Sequence, residues 1–409
     1  MTFICLAQPG NGATDVFDEE ERRMRKIRSS VRLLVLIAVM ALIGAACDAD
    51  GASDTTEAPG TTEPAPSSTT APETTEAPTE TTAAPSGEPI RIGMLSELTG
   101  FTPWAVQARD GMLLAAEEIN AAGGVDGRMI EIVEQDSEND ADAGVTGFER
   151  LVEDGVLAIG GIISSTVGAA VSPVAEELEM PTFLVKSGTE AALTADSRYM
   201  FRTCLPAAPM DAGPVLQYAQ EQGLTNVGVI VADYAWGQAF ASAVEATFEG
   251  SGVDYGEIQV APVPPDTDFT PFVRNMADAG AQMVVATGHP PGNSAILGLS
   301  ADLIGDVPVT GAWVPPALAV GQQPDVAIGR SADFACADYS SDAYAALAER
   351  YFAFSENSFM SDDAVAGHGI VTMVAQAVGE VGDDPVAIAE YMHQNSFDLE
   401  GYAHTLSWT

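Results

Sequence analysis

The chain has 409 residues, of which 46% are hydrophobic, with 16 Lys/Arg against 59 Asp/Glu and a formal net charge of -43. It is long enough for more than one domain and a sizeable core. A surface this acidic repels nucleic acid and anionic lipid, which excludes both as partners, and its charge reads as a solubility device.

Residues 1–46 read as a signal peptide, not as fold. The basic stretch MRKIRSSVR, residues 24–32, precedes the apolar run LLVLIAVMALIGAA, residues 33–46, which is too short to span a bilayer comfortably. Met24 is the better initiator, and residues 1–23 look like an overextended start. The following IGAAC resembles the lipobox of bacterial lipoproteins and makes Cys47 the lipidation candidate, although Gly44 stands where that motif usually has Leu. An ordinary secretory peptide cut nearby is the alternative; both readings export the mature protein. Residues 48–87 contain almost nothing but Thr, Glu, Pro, Ala, Ser, Asp and Gly. They lack the apolar surface that offsets ordering entropy, so a disordered tether is expected, long enough to hold a folded head off a membrane.

From Pro89 strand and helix signals alternate, the mark of an α/β protein with parallel sheets covered on both faces. Strands are expected at 90–95, 129–136, 156–163 and 181–185, with helices at about 108–120, 145–152 and 167–178 between or after them. FRTCLP, residues 201–206, breaks the rhythm, and the pattern restarts. Strands at 226–233, within YGEIQVAPV, at 282–288 and at 307–313 then alternate with helices at 237–248, 268–281 and about 293–303. Helices at 342–354, 363–381 and 385–395 close the chain. Two lobes of similar plan follow from this order.

In an open parallel sheet, ligands bind at the carboxyl ends of strands, where helix N-termini present unpaired N–H groups. Ser164, Ser165 and Thr166 follow the third strand, and Lys186, Ser187, Gly188 and Thr189 follow the fourth. Two neighbouring strands thus deliver hydroxyls to one edge. The competing reading is helix capping, in which a Ser or Thr satisfies the first amides with no ligand present.

Of the four cysteines, Cys5 lies in the doubtful start and Cys47 is the lipid candidate, which leaves Cys204 and Cys336 as a possible disulfide pair in an oxidising compartment. Nothing in the spacing of Cys or His suggests a metal, and no GxSxG elbow, P-loop or GxGxxG after a strand is found. No catalytic residue and no cofactor is therefore expected.

IRIGMLSELTG, GMLLAAEEINAAGGVDGRMIEIVEQDSENDA, GGIISSTVGAAVSPVAEELEMPTF and VADYAWGQAFA resemble the periplasmic leucine/isoleucine/valine-binding proteins, type I solute-binding proteins of ABC transporters. The resemblance runs through residues 89–409 and implies two Rossmann-like lobes joined by a three-strand hinge, closing over a small ligand. Lobe 1 would hold 88–204 and 337–396, and lobe 2 would hold 205–336 and 397–409. FRTCLP and DFACADYS, residues 333–340, would be two crossings, which puts Cys204 beside Cys336; the third would fall near 396–401. Relatives usually continue a strand or two beyond HTLSWT, so the C-terminus reads as truncated.

Carried over by position, the family's ligand-carboxylate site falls on Ser164, Ser165, Thr166, Ser187 and Thr189. Trp104, in the loop after the first strand, matches a pocket aromatic, and Tyr234 and Trp236 match the aromatic contact of the second lobe; core packing is the alternative for each. Amino-acid binders of the family place an acidic residue near GAWVPP, where this chain has Trp313, and His289 with two prolines stands where relatives often have Tyr or Ser. A buried ammonium without a counter-charge is costly, so the ligand need not be an ordinary α-amino acid. Lys186 either pairs with an extra ligand carboxylate or forms a surface salt bridge.

The function these features imply is that of a cell-envelope lipoprotein, on the outer face of the cytoplasmic membrane or in the periplasm. It would be a monomer that captures a branched-chain amino acid-like solute, an amide or a carboxylate and delivers it to an ABC permease. The alternatives are a sensory receptor of the same fold and, less favoured, an exported α/β enzyme.

Overall fold

The computed structural model describes residues 4–5, 87–99, 102–262, 267–287, 290–311, 331–333, 335–357 and 359–408. The expectations for Cys47, the signal peptide, the tether, His289 and Trp313 lie outside these residues.

The first sheet has five parallel strands: β1 (Ile90–Ser96), β2 (Ile130–Asp136), β3 (Ile159–Ile162), β4 (Thr182–Leu184) and β5 (Met200–Arg202), in the order β2-β1-β3-β4-β5. The inner strands β1, β3 and β4 are short, mostly buried apolar runs because both sheet faces are covered by helices, while the edge strand β2, IEIVEQD, is only partly buried. The coverings include α1 (Thr102–Ala121), α2 (Ala141–Glu153) and α3 (Ser165–Glu177). Strand order reverses between β1 and β3, so the carboxyl ends of those two strands flank a crevice.

Two features of β3 aim its end. Gly161 has φ +93°, which a side chain tolerates poorly, and the register of β3 with β4 shifts between Ile159 and Ile162. The Ser96 hydroxyl then donates to the Gly161 carbonyl at 2.8 Å.

The second sheet repeats the plan with β6 (Gly228–Ala232), β7 (Gln259–Ala261), β8 (Val284–Thr287), β9 (Val309–Thr310) and β10 (Ser331–Asp333). Their order is β10-β9-β8-β6-β7, all parallel, and the segment Ile4–Cys5 pairs antiparallel with β10. Helices α4 (Ala208–Glu221), α5 (Ala235–Phe248), α6 (Thr270–Asp278) and α7 (Pro290–Leu303) belong to this half.

Helix α4 is absent from the sequence reading. Pro209 in its first turn, Gly213 and the internal Pro214 are all breaking signals, and an internal proline costs roughly 3 kcal/mol. The buried Ala208, Ala212, Val215 and Ala219, spaced for one face and part of the main core, carry the helix regardless.

Helices α8 (Asp342–Phe354), α9 (Asp362–Val381) and α10 (Pro385–Gln394) return to the first lobe. α9 crosses α1 at glycines: a Cβ on Gly367 would overlap the Ala108 carbonyl, and one on Gly111 would overlap that of Ala364. The backbones therefore touch with no side chain between them.

Three segments meet at the hinge. Thr203 and Leu205 donate backbone bonds to Leu184 and Val185, Asp338 donates to Gly401, and Ala403 donates to Cys336. Cys204 and Cys336 form a disulfide with Cα atoms 5.0 Å apart, tying the first segment to the second. The strands β11 (Ser396–Phe397) and β12 (Leu406–Ser407) pair antiparallel. Trp408 lies edge-on to Phe201, with its indole N–H donating to the Arg202 carbonyl. Residues 397–408 thus sit against the end of the first sheet, where the sequence reading had put them in the second lobe. The aromatic pairing with Phe201 and Phe397 accounts for the difference.

Candidate functional site

The crevice begins with Glu97, the residue after β1. Its loop is fastened from β2: the Thr99 hydroxyl donates to Asp136 at 2.7 Å, the Thr99 amide donates to it at 3.2 Å, and Ser137 N donates to the Ser96 carbonyl at 2.9 Å. Glu97 is buried and one carboxyl oxygen, Oε2, accepts from Ile163 N at 3.1 Å, bridging the ends of β1 and β3. The other, Oε1, is buried with no hydrogen-bond partner among the described residues. Burial pushes the carboxyl up to about 7 against the pull of backbone amides at Ser164 and Ile163, and the Asp136 charge adds to the rise.

The two hydroxyl clusters expected to form one edge are brought together. Ser165 Oγ accepts from Gly188 N at 3.1 Å, joining the loop after β3 to the loop after β4. Ser187 is buried against α3, where a Cβ on Gly168 would overlap its hydroxyl, and that hydroxyl has no partner among the described residues. Thr166 is half-buried. Two of the candidates act as caps: Ser164 Oγ accepts from Thr166 N and Val167 N at the start of α3, and Thr189 Oγ1 accepts from Ala191 N in a short 3-10 turn. For those two side chains the capping alternative describes the contacts.

From the second lobe, Trp236 in the first turn of α5 is fully buried and its indole ring fills the space over Gly188, leaving no room for a Cβ there. Tyr234, the residue before α5, is half-buried as a whole, but its hydroxyl end is enclosed; burial raises its pKa and the Glu97 charge raises it further. Tyr234 thus lies within reach of the Glu97 charge. Trp104 lies in the first turn of α1, not in a loop, and is buried with its indole N–H unpartnered among the described residues. At the carboxyl ends of β8 and β9, the Thr287 and Thr310 hydroxyls are likewise buried and unpartnered.

Lys186 is neither at the surface nor open to a ligand carboxylate. It is 1% exposed, with Nζ 2.9 Å from Asp362 and 3.7 Å from Asp363, at the start of α9. Burial drives the Asp363 carboxyl upward while the Lys186 charge holds it back. Arg202, partly buried and lowered by burial to about 10, donates to the carbonyls of Ser187 at 3.2 Å and Thr189 at 3.0 Å and so braces the loop after β4. Asp211 of α4 is fully buried, and burial raises its carboxyl well above the usual range against the fields of Arg202 and Lys186. Sequence reasoning missed Glu97, Asp211 and the partners of Lys186. Only the position of Glu97, directly after a strand at the sheet edge, offered a signal.

Residues 89–407 match the sequence profile of the family described as periplasmic binding protein. The chain belongs to that family. Its relatives are the leucine/isoleucine/valine-binding proteins. One is a Pseudomonas aeruginosa protein called leucine-, isoleucine-, valine-, threonine-, and alanine-binding protein, 24% identical over 324 residues, 76% of this chain and 84% of that one. The Leu/Ile/Val-binding protein homolog 3 of Brucella melitensis is 30% identical over 206 residues, covering 49% of this chain. The chain spans about half of that relative's length, at 54%.

Among solved structures, a Rhodopseudomonas palustris ABC transporter solute-binding protein in complex with benzoate aligns with a TM-score of 0.67 at 18% identity, over 78% of this chain and 89% of that one. The branched-chain amino acid transporter substrate-binding protein of Streptococcus pneumoniae, in complex with isoleucine, aligns at 0.65 and 22% identity, over 77% and 90%. At such identities the likeness establishes the two-lobed α/β fold.

Proposed function

We propose that this protein is the extracytoplasmic solute-binding component of an ABC importer, which holds one small polar solute between its lobes and performs no chemistry on it. The lobes meet where the carboxyl ends of both sheets face each other, with Trp236 seated on Gly188. A solute binding to one lobe would gain its remaining contacts when the other closes, and a permease would read the closed form by its population. In this reading Cys47 carries the lipid, residues 48–87 form the tether, and the folded head works as a monomer outside the cytoplasmic membrane.

One observation carries the reading. Glu97 Oε1, Ser187 Oγ, Thr287 Oγ1 and Thr310 Oγ1 are buried at strand ends without partners among the described residues. Each such group costs roughly 1–3 kcal/mol, and a solute between the lobes would relieve several at once. The ligand set proposed is Ser165, Thr166, Ser187, Trp104, Tyr234 and Trp236, together with Glu97.

The test is a thermal-shift screen over amino acids, amides, polyamines and aromatic acids. A true ligand at a hundred times its Kd should stabilise the fold by about 2.7 kcal/mol. No shift in any class, together with turnover of a simple ester or amide, would discard the binding-protein reading.

A further inference from the structure

The buried cations around the crevice are already engaged: Lys186 with Asp362 and Asp363, and Arg202 with the carbonyls of Ser187 and Thr189. Glu97 is different. The groups shown to act on it are its own amide, those of Ile163 and Ser164 at the mouth of α3, and the Asp136 carboxylate, and its charge in turn reaches Tyr234. None of these is a cation. One of its oxygens is spent on Ile163 N, and the other is enclosed and unpartnered among the described residues.

The start of α3 is therefore not an open anion site. Ile163 N donates to Glu97, Thr166 N and Val167 N donate to Ser164 Oγ, and Gly168 N donates to the Ser164 carbonyl. The carboxylate that a helix mouth attracts is supplied by the protein itself. A solute carboxylate brought here would find most amides taken and a second carboxyl in its way. A solute cation would instead meet a buried carboxyl oxygen that has no partner among the described residues. The formal charge of -43 acts in the same direction, raising the local concentration of cations and lowering that of anions.

We propose that Glu97 is the recognition carboxylate of the crevice and that the solute presents an ammonium-type cation to it. This rests on reading the crevice as a solute site, and it names both the specificity residue and the ligand class.

The experiment is isothermal titration calorimetry at pH 6 and pH 8 with choline, putrescine and agmatine as cationic probes, isoleucine as zwitterion and benzoate as anion. At least one probe bearing a cation should bind. Its affinity should rise about tenfold between the two pH values as Glu97 ionises around 7, where burial and, less, the Asp136 charge oppose that ionisation and the Ser164 and Ile163 amides favour it. Glu97→Gln, which keeps shape and an acceptor for Ile163 N, should weaken binding at least 30-fold and remove the pH dependence. If that variant does not fold, the wild-type pH profile decides alone.

Binding of benzoate, binding of isoleucine unaffected by Glu97→Gln, or affinity that falls from pH 6 to pH 8 would overturn the proposal and leave the solute-binding reading in place. If no probe binds here and no solute shifts the wider thermal screen, both fall.

Discussion

The first lobe contains two buried acidic sites that look alike in sequence and differ in physics. At the hinge, Asp362 and Asp363 sit at the start of α9 with the Lys186 ammonium 2.9 Å from the first and 3.7 Å from the second, all three buried. At the crevice, Glu97 is just as buried, yet what faces it is amides, a phenol and another carboxylate. The hinge cluster has its cation within the chain, next to the disulfide and the crossing segments, and has the character of a structural joint. The crevice carboxyl is incomplete. Desolvation acts on both, and the difference is whether the compensating charge comes from the chain or from outside it.

The sharpest way to break that contrast is to make the hinge cluster incomplete too. Lys186→Met removes the cation and leaves two buried carboxyls facing each other, which should cost about 3–5 kcal/mol at pH 7 by urea denaturation. The loss should shrink at pH 5, where the Asp363 carboxyl, raised by burial to about 7, takes up a proton. An unchanged stability would mean that the cluster is hydrated and that the comparison is false.

The converse change completes the crevice. The Glu97 carboxyl is raised in the fold from 4.5 to about 7, so the folded state binds the proton more tightly than the unfolded chain does. Its stabilising effect is fully present below about pH 4.5 and is lost as pH rises through 7, a total of about 3 kcal/mol. Glu97→Gln should match the wild type near pH 4.5 and exceed it by about 2–3 kcal/mol at pH 8. Other acidic groups also erode stability as pH rises, but they do so in both proteins, and the difference between the two curves isolates Glu97. Parallel curves from pH 4.5 to 8 would show that Glu97 stays solvated.

These two sites also show what the sequence could and could not disclose. Parallel strands covered on both faces must be apolar runs, so VLAIGGII and NVGVIVAD announce themselves, and the hydroxyls behind a strand mark the ligand edge. Lys186 was legible as an oddity but not as a joint, because its partners, Asp362 and Asp363, are some 176 residues away along the chain. Glu97, in SELTG, reads as a solvated turn residue, yet it is buried and holds the Ile163 amide, 66 residues along the chain. Local pattern likewise favoured a loop at α4, where packing outweighs the prolines.

The smallest expected effect separates the two roles that the hydroxyl cluster combines. Ser164 and Thr166 are two residues apart at the mouth of one helix, yet only Ser164 Oγ caps it, accepting from the amide of Thr166 itself at 3.2 Å. Ser164→Ala should therefore cost about 1 kcal/mol of stability. Ligand affinity should change little, because the buried hydroxyl already has both its amides. Thr166→Val removes a half-buried hydroxyl for which no capping bond is seen, so stability should move by no more than about 0.5 kcal/mol. If that hydroxyl faces the solute, its loss removes one hydrogen bond and should lower affinity about 5–10-fold. Calorimetry and unfolding on the same two variants then give opposite rankings. Equal effects of both on stability, with none on binding, would return the whole cluster to capping and leave the crevice to Glu97, Ser187 and the aromatic residues.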